Sequence, residues 1–343
     1  MPGINLRTLM SSPYFFILLP LAVFFFSLVC GRYPVDIKNV FGILISQVYP
    51  VTPFWPEIDE RVIINLRLPR LLIGMLIGAG LAVSGAAFQG IFKNPLVSPH
   101  ILGVAAGAGF GGVLAMLLSQ SSLLIFIFAF IFGNLAVLAA YFLARKDSVT
   151  PVLVLVLAGV IISAFFTAMI SLLKLCADPQ DQLPGIVFWL MGSLISANYE
   201  KFGLIVIPFL ICVYILWRLR WRINVLSQSD QEARALGVNV EYDKWIIILC
   251  VSVIVALAVS VSGIIGWVGL AIPHIARMIV GSNHLFLIPA CISLGAAYLA
   301  FVDTIARTLT PYEIPLGILT AIVGVVIFGY LLKRNQNGGW NEY

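Results

Sequence analysis

Few residues in this sequence have the type and spacing to do chemistry. His100, His274 and His284 lie far apart in the chain, with no H-E-x-x-H pattern or Cys/His cluster around them. They read as loop or helix-cap residues, not as zinc ligands. Cys30, Cys176, Cys212, Cys250 and Cys291 are scattered, show no C-x-x-C spacing and fall mostly in apolar runs, as small core residues do. No G-x-x-x-x-G-K-[ST] loop is present, so the chain does not hold ATP in that manner. Gly107-x-Gly109-x-x-Gly112 formally matches a dinucleotide fingerprint, but it lies inside an apolar stretch with no strand before it. No nucleophile with a neighbouring base is visible either, which argues against an enzyme.

One polar segment stands out. From Leu226 to Val238 the chain carries a compact helix signal: Ser229 and Glu232 form a capping box, Asp230 favours the positive N-terminus, and Gly237 is placed as a left-handed stop. A short capped helix of this kind fits a partner's groove or is simply a solvated surface helix. The residues alone leave both readings open.

The elements that must position these residues belong to a membrane protein. Of 343 residues 61% are apolar and 10% charged, with a mean hydropathy of +1.06, whereas about 25% are charged in an ordinary soluble domain. A membrane helix needs about 20 apolar residues. Ten such spans are expected, near 14–30, 68–92, 99–117, 122–144, 150–174, 203–221, 243–262, 264–281, 285–303 and 312–332. The first follows Arg7 and has no A-x-A site after it, so it reads as a membrane helix and not as a cleaved signal. The fold class is therefore all-α and polytopic, one transmembrane domain over residues 1–343. Glycines four apart, such as Gly74 and Gly78 or Gly103, Gly107 and Gly111, let helix backbones approach closely in lipid.

An even number of spans puts both termini on one side. With the termini inside, the inner face receives twelve of the twenty Lys and Arg, while the other eight lie outside with nine acidic residues. That agrees with the positive-inside rule and with a multi-pass inner-membrane protein whose termini are cytoplasmic. The formal charge of +5 is dispersed between spans and forms no nucleic-acid-binding face. Three connections are too long to be turns: outer loops at about 33–65 and 176–202, and an inner polar segment at about 223–242. The run Ile186 to Ile195 is too short to span and suggests a re-entrant or interfacial helix. Ionisable side chains are nearly absent from span midpoints, where ion-coupled secondary transporters place them. Energy for any such work must then come from elsewhere, and the inner polar segment is the candidate docking site for an energising partner.

Several segments carry a family resemblance. They are Arg67-Leu68-Pro69-Arg70, Gly78 through Gln89, Asn94-Pro95-Leu96-Val97-Ser98-Pro99, Glu232-Ala233-Arg234-Ala235-Leu236-Gly237-Val238, Gly263 through Arg277 and Glu313-Ile314-Pro315-Leu316-Gly317. In this order, and over most of the chain, they resemble the FecCD-type permeases, membrane subunits of importers for iron siderophores, haem, vitamin B12 and, in some members, molybdate or tungstate. The resemblance implies a ten-helix subunit with two inverted halves that forms a homodimer around a central path. It implies two copies of a separate ATPase inside, where ATP and Mg are held, a substrate-binding protein outside, and no cofactor on this chain. The helix pairs beginning near Arg67 and near Asp243 enter the membrane from opposite sides, as inverted halves would.

Residue by residue, the segment Ser229, Asp230, Glu232, Ala233, Arg234, Leu236 and Gly237 resembles the family's coupling helix, with Ser229 standing where a glycine is usual. Arg67, Arg70 and Arg307 match basic positions that in the B12 importer accept acidic residues of the binding protein; the alternative is anchoring of basic side chains at the lipid interface. Asp303, four residues before Arg307, is placed to satisfy that arginine locally. Ser148 and Thr150 resemble the family's hydroxylic gate residues. Ser163, Thr167 and Ser171 form a stripe on the fifth span that either lines the path or bonds to its own backbone. The cargo expected first is a metal chelate (iron siderophore, haem or cobalamin), with molybdate or tungstate as the alternative and an ion-driven secondary transporter as the rival of another class.

Overall fold

The structure is a computed structural model that describes residues 12–119, 121–145 and 150–336, and among them it is built of helices without a strand. In chain order these are α1 (Pro13–Val29), α2 (Ile37–Ser46), α3 (Glu57–Ile91), α4 (Val104–Leu118), α5 (Ser122–Ala144), α6 (Val152–Cys176), α7 (Leu183–Leu190), α8 (Tyr199–Arg218), α9 (Arg220–Leu226), α10 (Asp230–Ala235), α11 (Val240–Ser262), α12 (Val268–Val280), α13 (His284–Thr308) and α14 (Leu316–Gln336). Six of them (α3, α5, α6, α8, α11 and α13) are long and apolar enough to cross a membrane by themselves. The shorter apolar helices α1, α4, α12 and α14 occupy the remaining expected spans, so the count of about ten holds.

Three of the short spans, α4, α12 and α14, begin four or five residues later than expected because irregular backbone precedes the helix. α12 starts at Val268 after the extended stretch from Gly263 to Trp267, and such backbone is tolerated at membrane depth only where protein covers it. α3 differs the other way. The sequence places a start at Leu68, beside Pro69, but the helix begins at Glu57 and runs through a π-helical stretch at Val62–Arg67. The wider turn absorbs the amide that Pro69 cannot supply. The short helix expected near Ile186 is α7, and the long connection after α1 contains α2.

Two central helices run antiparallel. α11 begins beside the end of α3, where Lys93 and Lys244 share a partner, so the two helices point in opposite directions. In the most apolar stretch of α3, 83% of residues are buried, against 22% in α6; α3 is the core and α6 the rim. Close approach of α3 to its neighbours depends on glycine at two places. A Cβ on Gly78 would overlap the Gly295 carbonyl of α13, and one on Gly85 would overlap the Gly269 carbonyl of α12. Where lipid gives helices no hydrophobic reason to associate, this backbone contact is what packs them.

Candidate coupling and docking sites

The apolar segment of α3, Leu68–Ile91, carries a cluster at each end: Arg67 and Arg70 stand at its start and Lys93 just beyond its finish. About 24 residues at 1.5 Å each separate the two by roughly 35 Å, the thickness of a membrane.

At the Lys93 end, α10 forms as its sequence directs. Ser229 Oγ accepts the Glu232 N–H at 3.1 Å, and Glu232 Oε2 accepts the Ser229 N–H at 3.1 Å, completing the capping box. Gly237 takes φ +77° and ends the helix. Ala233 and Val238 turn inward and are buried. Gln231, Arg234 and Leu236 face outward, with Leu236 61% exposed. Glu232 is therefore engaged in shaping the helix, while Arg234 and Leu236 present a mixed polar and apolar surface.

Sequence reasoning singled out Asp230 for its place near the N-terminus of α10 and within the segment that resembles a coupling helix. In the structure it is the anchor. Lys93 Nζ and Lys244 Nζ each donate to one of its oxygens at 2.9 Å. Burial alone would push the Asp230 carboxyl up, but the hydrogen bonds from Lys244 and Lys93, and their charges, outweigh it and hold the pKa below the ordinary carboxylate value. Lys93 reaches this position from φ +53°, a left-handed conformation uncommon outside glycine and asparagine. Lys244 also lies 4.0 Å from Glu241, whose Oε2 accepts the Thr150 N–H at 3.1 Å just before α6. A chain of polar contacts thus joins α10, through Lys244 and Glu241, to the start of α6. No spacing rule would have found Lys93, Lys244 or Glu241, because Lys93 and the start of α11 are distant from each other and Lys93 is distant from α10 in sequence.

Of the expected gate residues, Thr150 is buried beside Glu241, and Ser148 lies outside the described residues. Thr167 Oγ1 donates to the Ser163 carbonyl at 2.7 Å and Ser171 Oγ to the Thr167 carbonyl at 3.1 Å. The stripe therefore bonds to its own helix, one of the two readings the sequence left open. Thr167 and Ser171 nonetheless lie on the exposed side of α6. The histidines do not gather. His100 sits 3.2 Å from the Ile265 carbonyl and His284 pairs with Asn224, and among the described residues no group of His, Cys, Asp and Glu could hold a metal ion.

At the other end the structure brings Arg67, Arg70 and Arg307 together. With Arg32 and Glu313 they line a pocket of about 340 Å³. Among the described residues four guanidinium groups face one lining carboxylate, with Asp303 against Arg70 behind them, so the charges that gather here are net positive. Arg67 and Arg307 are only 6% and 9% exposed, and both are tied to the end of α1. Arg67 donates to the carbonyls of Leu28, Tyr33 and Val29, the last at 3.0 Å. Arg307 donates to the carbonyl of Ser27 and to its Oγ at 3.1 Å. Arg70 meets Asp303 through Nε at 2.9 Å and Nη2 at 2.8 Å, and Glu313 through Nη1 at 2.9 Å. Asp303 does lie within ion-pair distance of Arg307, at 3.9 Å one turn away, but its closer partner is Arg70 on the neighbouring helix, whose in-plane fork is the better match for a carboxylate.

Comparison with known proteins agrees with this layout. The model of the FecCD transport family matches residues 18–334. The chain is 43% identical to the molybdate import system permease protein MolB of Haemophilus influenzae, over 92% of this chain and 93% of that protein. It is 41% identical to a probable iron chelatin transport system permease protein of Helicobacter pylori, over 80% and 83% respectively. A solved structure reported as an inward-facing conformation of a metal-chelate type ABC transporter superposes with a TM-score of 0.83 at 42% identity, covering 94% of this chain and 98% of that one. A buried helical core, polar clusters at its two ends and a family match over nearly the whole length have one reading: the chain belongs to the FecCD transport family and is a membrane-spanning permease subunit of an ATP-binding-cassette importer.

Proposed function

We propose that this permease passes a metal chelate, received from a separate substrate-binding protein, through a path formed between two copies of the chain, driven by two copies of a cytoplasmic ATPase. The single observation that carries the energy-coupling part is α10: a capped helix, pinned by Asp230 to Lys93 and Lys244, with Arg234 and Leu236 facing outward. It has the length and rigidity to sit in a groove of the ATPase, and the polar contacts through Lys244 and Glu241 lead from it to α6. The termini and α10 are then cytoplasmic, which agrees with the distribution of basic residues. The chain itself needs no cofactor, since ATP and Mg belong to the partner.

The opposite cluster is the docking site for the binding protein. Its four arginines favour an acidic side chain, and charged contacts of this sort set orientation and association rate. α6 supplies the path. A long apolar helix left mostly uncovered within one chain requires either lipid or a second copy against it, and its hydroxyl-bearing side favours the second copy. Thr150 stands at the cytoplasmic mouth.

Molybdate is the second reading of the cargo, favoured by the 43% identity to a molybdate permease over 92% of this chain. Uptake in proteoliposomes that contain the permease, its ATPase and its binding protein separates these readings. ATP-dependent accumulation of a ferric siderophore, haem or cobalamin is the expected result; accumulation of molybdate alone would select the second reading. Uptake driven by an ion gradient without the ATPase would overturn both. Arg234→Ala should abolish coupled uptake.

A further inference from the structure

Every arginine in the outer pocket already has an acceptor inside this chain, so a docking carboxylate must either share a guanidinium or replace one of those acceptors. Most of them cannot leave. The acceptors of Arg67 are backbone carbonyls of α1 and the turn after it, and those of Arg307 belong to Ser27. Asp303 lies along α13 with its side chain 4% exposed and holds Arg70 by three contacts.

Glu313 differs in each respect. It sits in the short connection between α13 and α14, beside the exposed residues Leu309, Pro311 and Tyr312, so water is within reach if its side chain swings out. It touches Arg70 through one oxygen only, at 2.9 Å, while its second oxygen is buried without a hydrogen-bond partner. A buried carboxylate oxygen left unpaired is costly, so this contact is weaker than a two-oxygen pair and cheaper to give up. When it leaves, Asp303 still holds the Arg70 guanidinium in place. Among the described residues Glu313 is also the only carboxylate that lines the pocket.

We propose that Glu313 occupies, in the undocked permease, the seat on Arg70 that a carboxylate of the binding protein takes on association, so that docking exchanges one carboxylate for the other. The inference rests on the docking reading given above and adds to it an internal competitor that sets the affinity. The competition keeps binding reversible, which suits a partner that must arrive loaded and leave empty.

The test measures binding of the substrate-binding protein encoded with this permease to the full permease–ATPase complex in nanodiscs, at low and at high salt. Glu313→Gln keeps the size of the side chain and removes its charge. It should bind roughly fivefold or more tightly than the unsubstituted complex, with the gain shrinking in high salt. Glu313→Asp, which keeps the charge, should stay near the unsubstituted affinity. Damage to the fold would weaken binding, the opposite sign. Unchanged or weaker binding by Glu313→Gln, in a complex where Arg32→Gln does weaken it, overturns the exchange and leaves the docking reading intact. If neither Arg32→Gln nor Arg70→Lys alters binding, the docking reading fails and the exchange fails with it.

Discussion

Lys244 Nζ and Asp230 Oδ2 lie 2.9 Å apart, joining the first turn of the core helix α11 to the first residue of the helix that projects from the core, α10. Lys244 is almost wholly buried while Asp230 is partly exposed. A buried ammonium without a counter-charge is costly, so the pair fixes where α10 can sit. Lys93 holds the same carboxylate from the end of α3.

Asp230→Asn should therefore uncouple the transporter more than it destabilises it. Lys93 and Asp230 form a partly exposed pair worth up to about 1 kcal/mol, and buried Lys244 keeps Glu241 at 4.0 Å as a counter-charge, so thermal melting should shift little while ATP-driven uptake falls at least several-fold. The depressed carboxyl pKa sets the pH dependence. The contribution of this pair is complete above the unfolded carboxyl value of about 3.9 and is lost as pH falls through the lower folded value, so melting curves of the unsubstituted and Asp230→Asn chains should be offset equally across neutral pH and converge only in acid.

Ser229→Ala removes one half of the capping box and should cost about 1 kcal/mol of local helix stability. Amide hydrogen exchange at Glu232 and Ala233 should accelerate about fivefold, while that of α11 stays unchanged. Uniform acceleration along both helices would contradict this account.

Two arginines of α3, Arg61 and Arg70, should behave oppositely. Arg70→Ala strands Asp303, whose side chain is 4% exposed, and should cost about 3–5 kcal/mol; adding Asp303→Asn should recover much of it. Arg61, 71% exposed and paired with Glu57 one turn away, should tolerate alanine within about 0.5 kcal/mol. Unfolding in mild detergent, followed by tryptophan fluorescence, reads both.

Gly78→Val should separate α3 from α13, because the added carbons have only the Gly295 carbonyl to move into. Overpacking at a backbone contact costs about 1–3 kcal/mol or more, and the variant should lose yield and melting temperature. The same change at Gly203, where no atom lies within 4 Å of the added carbon, should be tolerated.

The sequence by itself determined what local patterns encode. Apolar runs of membrane length fixed the span count, small residues at helical spacing marked the close contacts, and Ser229, Glu232 and Gly237 specified α10 to the residue, since capping depends only on neighbours three to five positions apart. The same local logic misjudged what depends on distant chain. Pro69 reads as a helix start because the rule for proline knows nothing of a π-turn that neighbouring helices support. Asp303 reads as the partner of Arg307 because they are four apart on one helix, and it lies 3.9 Å from that arginine, but no local rule sees its closer partner, the fork of Arg70 233 residues away in sequence. Lys93, Lys244, Glu241 and Glu313 carry no motif of ligand chemistry. Their roles arise only when α3, α10, α11 and α13 pack, because in a low-dielectric interior each buried charge must find its partner wherever the fold brings one.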